Sequence, residues 1–155
     1  MASNKDLSEN QHFLVGLAEP YIMGSEEQLK RVLSAHTYVH DIKRYTITAH
    51  YTFIYELSSL LEHLNMLTKY RLNANLKNLE TEQKINDFRN EIRHTGRFDE
   101  GQKKRDERLG KNPKLAYKMT ITDTGIKIGN TNLDFKEIDT YIQQVKLEIH
   151  SLATR

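Results

Sequence analysis

Cysteine is absent from this chain of 155 residues. Without thiols the protein cannot form disulfides, use a cysteine nucleophile or bind zinc through thiolates, and this composition fits a reducing compartment. Long apolar runs are also missing, since none approaches the roughly 18 residues that a membrane span needs. The first residues, MASNKDLSENQ, carry no basic segment followed by an apolar one, so we expect no secretory signal peptide. These absences predict a soluble, cytoplasmic protein with no membrane partner.

The chain has little excess charge of either sign. Its 23 lysines and arginines face 21 aspartates and glutamates, which leaves a formal net charge of +2. This balance gives little indication of a polyanion partner for the molecule as a whole. The composition, 37% hydrophobic and 28% charged, is ordinary for a globular protein. The length predicts a single domain over residues 1–155, large enough to bury a core.

Glycine and proline are both missing between Gly24 and Gly96. So long a stretch without the two main helix breakers predicts helices. The letters SEEQ from Ser25 match a capping box and predict that a helix begins there. A second helix follows in ITAHYTFIYELSSLLEHLNML, although the threonines and tyrosines of its first half leave a strand as an alternative. The asparagine-rich segment RLNANLKNLET indicates a turn, after which Thr81 can cap the next helix.

The last third of the chain has a different pattern. Residues 97–113 carry six basic and four acidic side chains, and we predict a mobile charged loop there. YKMTITDTGIKIG alternates polar and apolar residues around DTG, which predicts a β-hairpin. DFKE, from Asp134, resembles a capping box and precedes a clean amphipathic helix. The fold class is therefore predicted to be all-α, an up-and-down helical bundle with a small β-hairpin before the C-terminal helix.

The stretch FRNEIRHTG carries the strongest chemical signal. Phe88 lies on the apolar side of the predicted helix, whereas Asn90 and His94, four residues apart, are neighbours on the polar side. Gly96 can end the helix, which places His94 in the last turn, where the helix dipole favours its charged form. A histidine that titrates near neutrality can transfer protons, and the arginine at 89 can bind a phosphate. The three polar side chains suit phosphodiester chemistry without a metal.

The same residues carry a resemblance. Arg89-Asn90-Glu91-Ile92-Arg93-His94 resembles the R-N-x-x-x-H form of the motif that defines HEPN domains, a superfamily of α-helical RNases and RNA-binding modules. The resemblance implies a four- or five-helix bundle in which a homodimer brings two motifs to one RNA-cleaving cleft. The toxin branch paired with a nucleotidyltransferase antitoxin usually has a tyrosine two residues after the histidine. Here that position is Gly96, so we do not expect that subtype.

The resemblance implies a protein that acts on RNA, as a metal-independent endoribonuclease of a defence or toxin-type system. Arg89, Asn90 and His94 would be the catalytic residues, and no cofactor or metal would be needed. His94 would act as general acid or base, and Arg89 would stabilise charge on the phosphate. Asn90 would orient the imidazole or a ribose hydroxyl. Candidate RNA-binding residues are Arg93, Lys103, Lys104 and Arg105. The alternative is a catalytically silent interaction or RNA-binding module; the identity of an antitoxin or other protein partner does not follow from the sequence.

Two further pairs of titratable residues are candidates for a functional site. His36 and His40 stand four apart and could share a metal ion, but the sequence places no third ligand, and partly buried histidines are the more common case. Glu56 and Glu62 are six apart, so they do not share one face of a helix. We therefore do not interpret these two glutamates as a paired acid–base site.

Overall fold

The structure, a computed structural model, describes residues 4–41, 47–71, 79–93 and 120–153. Within these ranges it contains four α-helices: α1 (Asn4–His36), α2 (Ile47–Leu67), α3 (Leu79–Arg93) and α4 (Phe135–Ala153). A π-helical turn, Thr37–Asp41, extends α1, and a 3₁₀ turn, Thr68–Tyr70, extends α2. A small sheet precedes α4. The predicted fold class, a helical bundle with a small β-element before the last helix, is confirmed. The predicted mobile loop, residues 97–113, lies outside the described residues.

Helix α1 does not begin at Ser25, so the predicted capping box there is wrong. The helix runs through Pro20 and Gly24 without a break. Ser25 is fully buried, and Gln28 donates from Nε2 to the Glu56 carbonyl oxygen at 3.0 Å instead of capping its own helix. Gly24 serves packing, because a Cβ there would lie 2.8 Å from the ring of His63 on α2. The glycine permits the two helices to approach closely.

Helix α2 lies antiparallel to α1. Its beginning packs near the end of α1, where the rings of His36 and Phe53 are 6.1 Å apart, and the 3₁₀ turn after it returns to Tyr21, whose ring stacks on Tyr70 at 5.8 Å. The helical interpretation of this threonine- and tyrosine-rich segment is confirmed. Its leucines are fully buried, which explains why tertiary packing stabilises the helix over a strand: Leu57, Leu60, Leu61, Leu64, Leu67.

The β-element has three strands rather than two. Strands β1 (Thr120–Ile121) and β2 (Gly125–Ile128) form the predicted hairpin, with Ile121 opposite Ile126. Strand β3 (Thr131–Asp134) then pairs antiparallel with β2 across a tight turn at Gly129, whose φ of 60° suits glycine. The third strand was missed because it spans only TNLD, a run with a single large apolar residue. That residue, Leu133, is buried and joins the sheet to the helical core.

Helix α4 closes the bundle by packing antiparallel along α1. Its apolar stripe is buried, as the periodicity predicted: Ile138, Tyr141, Ile142, Val145, Ile149. Two polar links fasten its outer edge to α1, where Lys146 donates to Glu26 at 3.2 Å and the His150 ring contacts the Glu19 carboxylate. Among the described residues, no helix is both long and apolar enough to cross a membrane.

Candidate functional site

Helix α3 carries the first part of the motif and packs by the predicted apolar face. Ile85 and Phe88 are fully buried, and Ile92 is packed against the core. Asp87 and Glu91 are also buried, which sequence periodicity did not predict. The helix is therefore enclosed on more of its circumference than an ordinary surface helix, and its polar residues face neighbouring elements as well as solvent.

Arg89 is held by a carboxylate from the adjacent helix. Its Nε lies 3.0 Å from Oε1 of Glu62 on α2, and the arginine side chain is 18% exposed against 44% for the glutamate. The guanidinium is thus fixed at the rim of the bundle, with one edge on Glu62. A guanidinium has five N–H donors, so a pairing through Nε does not exhaust its capacity. Sequence reasoning missed Glu62 as a partner, because the pairing joins two helices and follows no short spacing.

Asn90 follows directly and forms a hydrogen bond along its own helix, with Nδ2 donating to Oδ1 of Asn86 at 3.3 Å. Asn90 begins the last turn of α3, which ends at Arg93, and Arg89 directly precedes that turn. The side chain of Arg93 is not described. His94 lies outside the described residues, as do the other RNA-binding candidates Lys103, Lys104 and Arg105. The structure thus brings together two of the three predicted catalytic residues and adds Glu62.

A second arginine–glutamate pair lies at the other end of α3. Arg71, just after the 3₁₀ turn, contacts the Glu82 carboxylate, and Tyr141 of α4 donates its hydroxyl to Glu82 Oε1 at 2.9 Å. Burial and then the neighbouring carboxylate of Glu82 raise the pKa of Tyr141 far above its ordinary value. The Arg71–Glu82–Tyr141 cluster joins α2, α3 and α4. No motif in the sequence indicated it, because its members are far apart along the chain.

Glu137 forms a further polar link between α3 and α4. Thr81 donates from Oγ1 to Glu137 Oε1 at 2.8 Å, and Lys84 Nζ lies 3.1 Å from the same atom. Thr81 therefore lies within the first turn of α3, and its hydroxyl bonds to another helix. The prediction that Thr81 caps α3 is wrong, since the helix begins at Leu79.

His36 and His40 are packed together under the β-hairpin. Their rings stack at 5.0 Å with 7° between the planes. His36 is buried and donates from Nε2 to the Thr122 carbonyl oxygen, while His40 Nε2 lies 2.7 Å from Asp123 Oδ1. Each Nε2 atom is thus directed at the hairpin. The pair fastens the sheet to the end of α1, which is the ordinary structural interpretation of the two histidines.

Glu56 and Glu62, the two glutamates considered as an acid–base pair, have different partners. Glu56 accepts from Gln28 of α1, through both its backbone carbonyl and its carboxylate, whereas Glu62 pairs with Arg89 of α3. They face different helices and form separate links.

Comparisons with protein-family models, with curated proteins and with solved structures find no match to this chain.

Proposed function

We propose that this protein is a metal-independent endoribonuclease of the HEPN type, with its site at the last turn of α3. The observation that carries the proposal is the position of Arg89. It lies at the C-terminal end of a helix in a helical bundle, at the rim, and is fixed there by Glu62 of the neighbouring helix. An arginine held in this way is oriented before a ligand arrives, which reduces the cost of binding a phosphate.

The proposed reaction is transesterification within the RNA chain. The 2′-hydroxyl oxygen attacks the adjacent phosphorus and loses its proton to a base. The bond from phosphorus to the 5′-oxygen breaks, and that oxygen takes a proton from an acid. The products are a 2′,3′-cyclic phosphate and a 5′-hydroxyl, so no metal or redox partner is required. Arg89 stabilises the charge that develops on the phosphate, and His94 transfers a proton.

Asn90 has an orienting role in this proposal. Its hydrogen bond to Asn86 holds the amide against α3, directly beside the arginine. His94 follows the last helical residue, Arg93, and the negative end of the helix dipole favours a protonated histidine there. Arg93, Lys103, Lys104 and Arg105 are proposed to bind the RNA backbone.

The second proton-transfer group is proposed to come from a second copy of the chain. Glu62 supplies a carboxylate beside Arg89, but the two side chains are already paired, so the role of Glu62 is to hold the arginine. A twofold homodimer supplies a second His94 without a second motif. The chain has a mass of 18.2 kDa, and light scattering should give twice this mass. A stable monomer that cleaves RNA would overturn the shared cleft while leaving the nuclease proposal standing.

The test of the nuclease proposal uses the purified full chain, an end-labelled single-stranded RNA and EDTA. We expect cleavage with cyclic phosphate ends, and no cleavage where a 2′-deoxy sugar precedes the scissile phosphate. His94→Ala should lower the rate by about 10²–10⁴-fold, and Arg89→Ala by a comparable factor. Arg31→Ala is the matched control, because Arg31 is an exposed arginine that pairs with Glu27 on α1. Unchanged cleavage in His94→Ala would contradict the proposal. RNA binding without cleavage would instead support the silent RNA-binding module.

A further inference from the structure

A polar cleft lies between α3 and the end of α2, one turn of helix before the proposed catalytic residues. It has a volume of about 290 Å³. The residues that line it are mostly amides, with one hydroxyl and one carboxylate: Asn65, Thr68, Glu82, Gln83, Asn86. The volume lies just below the range for small-molecule sites, roughly 300–1,000 Å³, and therefore suits one small group.

The charge of this cleft decides which class of ligand it can take. Glu82 is the ionisable residue in the lining, and its carboxylate is already paired with Arg71 and accepts the Tyr141 hydroxyl. The other lining side chains are neutral amides and a hydroxyl. Such a surface offers both donors and acceptors but no cation for a phosphate. It matches a neutral ligand with a hydrogen-bonding edge.

Several of these side chains are oriented by hydrogen bonds within the protein. Gln83 donates from Nε2 to Asp87 Oδ1 at 3.0 Å, and Asn86 accepts from Asn90 at 3.3 Å. Thr68 donates its hydroxyl to the Asn65 carbonyl oxygen at 2.7 Å. Side chains that are already ordered lose less entropy when a ligand binds.

One lining residue of the cleft contacts a residue of the proposed catalytic set. Asn86 and Asn90 are one turn apart, about 6 Å along the helix axis, and their side chains touch. Arg89 lies beside Asn90. A phosphate bound at Arg89 would therefore leave the base of its own nucleotide within reach of the cleft.

We propose that this cleft binds the nucleobase next to the scissile phosphate, with adenine as the preferred base. Asparagine and glutamine amides pair with adenine through its N6 donor and N7 acceptor, and the cleft supplies three such amides. Stacking is not required, because the specificity comes from in-plane hydrogen bonds. The inference rests on the proposed ribonuclease function, but the cleft can also be tested without any cleavage.

The test compares the full chain with Asn65→Leu, which replaces an amide of the cleft by an apolar group of similar size. Asn65 is on α2, and its variant leaves Arg89, Asn90 and Glu62 in place. We expect the wild type to cleave next to adenine about tenfold faster than next to uracil, as kcat/KM. Asn65→Leu should bring the two rates within about threefold of each other. Thr52→Ala, an exposed position at the other end of α2, should keep the preference.

A second measurement separates this inference from the nuclease proposal. Adenosine is titrated into labelled protein, and the side-chain amide signals of Asn65, Gln83 and Asn86 are followed by NMR. We expect shifts in the wild type that Asn65→Leu abolishes. Cleavage with no base preference, together with no adenosine shifts, would contradict base binding in the cleft and leave the nuclease proposal unaffected. Adenosine shifts without any RNA cleavage would overturn the nuclease and support the cleft. A preference for another base that Asn65→Leu removes would keep the subsite and overturn the adenine assignment.

Discussion

An arginine–glutamate ion pair lies at each end of helix α3, and the two pairs have different roles because their surroundings differ. At the beginning, Arg71 and Glu82 are 20% and 13% exposed, and Tyr141 completes the cluster. At the end, Arg89 is similarly covered, but its Glu62 partner is 44% exposed. A buried pair stabilises the native arrangement because separating its members leaves an uncompensated charge. A pair at the rim contributes little to stability, and the remaining donors of its arginine can bind a ligand.

The largest expected effect comes from Arg71→Ala in the buried cluster. The substitution leaves the Glu82 carboxylate without its cation in a site that is largely shielded from solvent. We expect the free energy of unfolding to fall by about 3 kcal/mol. Urea unfolding followed by circular dichroism measures it, with Arg31→Ala as the control that should change stability by less than about 0.5 kcal/mol. Equal effects for the two variants would remove the distinction between the ends of α3.

The next effect concerns Tyr141 at alkaline pH. Its pKa is raised in the folded state, so above the ordinary value of about 10 the unfolded chain releases a proton that the folded chain retains. The contribution to stability is therefore fully present below about pH 10 and is lost as the pH rises above it. We expect the wild type to lose about 1.4 kcal/mol per pH unit relative to Tyr141→Phe.

The groups that act on Tyr141 in this titration are Glu82, Arg71 and Glu148. Unfolding in urea between about pH 9 and 11 measures the difference between the two proteins. Parallel stability curves for wild type and Tyr141→Phe would contradict the raised pKa. At neutral pH the variant should lose only the hydrogen bond to Glu82, about 1 kcal/mol.

A smaller effect on stability is expected for Arg89→Ala at the rim. Its partner Glu62 is well solvated, so the loss should be about 1 kcal/mol or less, well below that of Arg71→Ala. The proposed RNA cleavage should nevertheless fall by orders of magnitude in the same variant. Paired measurements of unfolding and cleavage test both statements. A loss of stability as large as that of Arg71→Ala would assign Arg89 to the core rather than to the site.

The smallest effect on stability is expected for Asn90→Ala. Its hydrogen bond to Asn86 spans 3.3 Å and lies within one helix. Alanine also has a higher helix propensity than asparagine, which offsets part of the loss. We expect the free energy of unfolding to change by less than about 0.5 kcal/mol. A stable, folded Asn90→Ala that cleaves RNA at the wild-type rate would remove Asn90 from the proposed catalytic set.

Local patterns predicted the helices well, and the reason is physical. The missing breakers and the 3.6-residue periodicity act within one segment, so α2, α3 and α4 could be identified before any packing was known. The same locality explains the errors. The capping box at Ser25 predicted a helix start, because a pattern within one segment cannot show that Ser25 is buried or that His63 packs against Gly24. β3 was missed because its stability comes from pairing with β2 and not from its own four residues.

For the candidate site, the sequence by itself determined that Arg89 and Asn90 are adjacent near the end of an amphipathic helix with Phe88 on its buried face. Only the tertiary structure decided that Glu62 holds the arginine, that Glu82 pairs with Arg71 and accepts from Tyr141, and that an amide-lined cleft lies beside the motif. Helix formation follows from side-chain order over a few turns. Contacts between helices depend on how whole elements pack. No short spacing in the sequence indicates that Glu62 contacts Arg89, which lies 27 positions later.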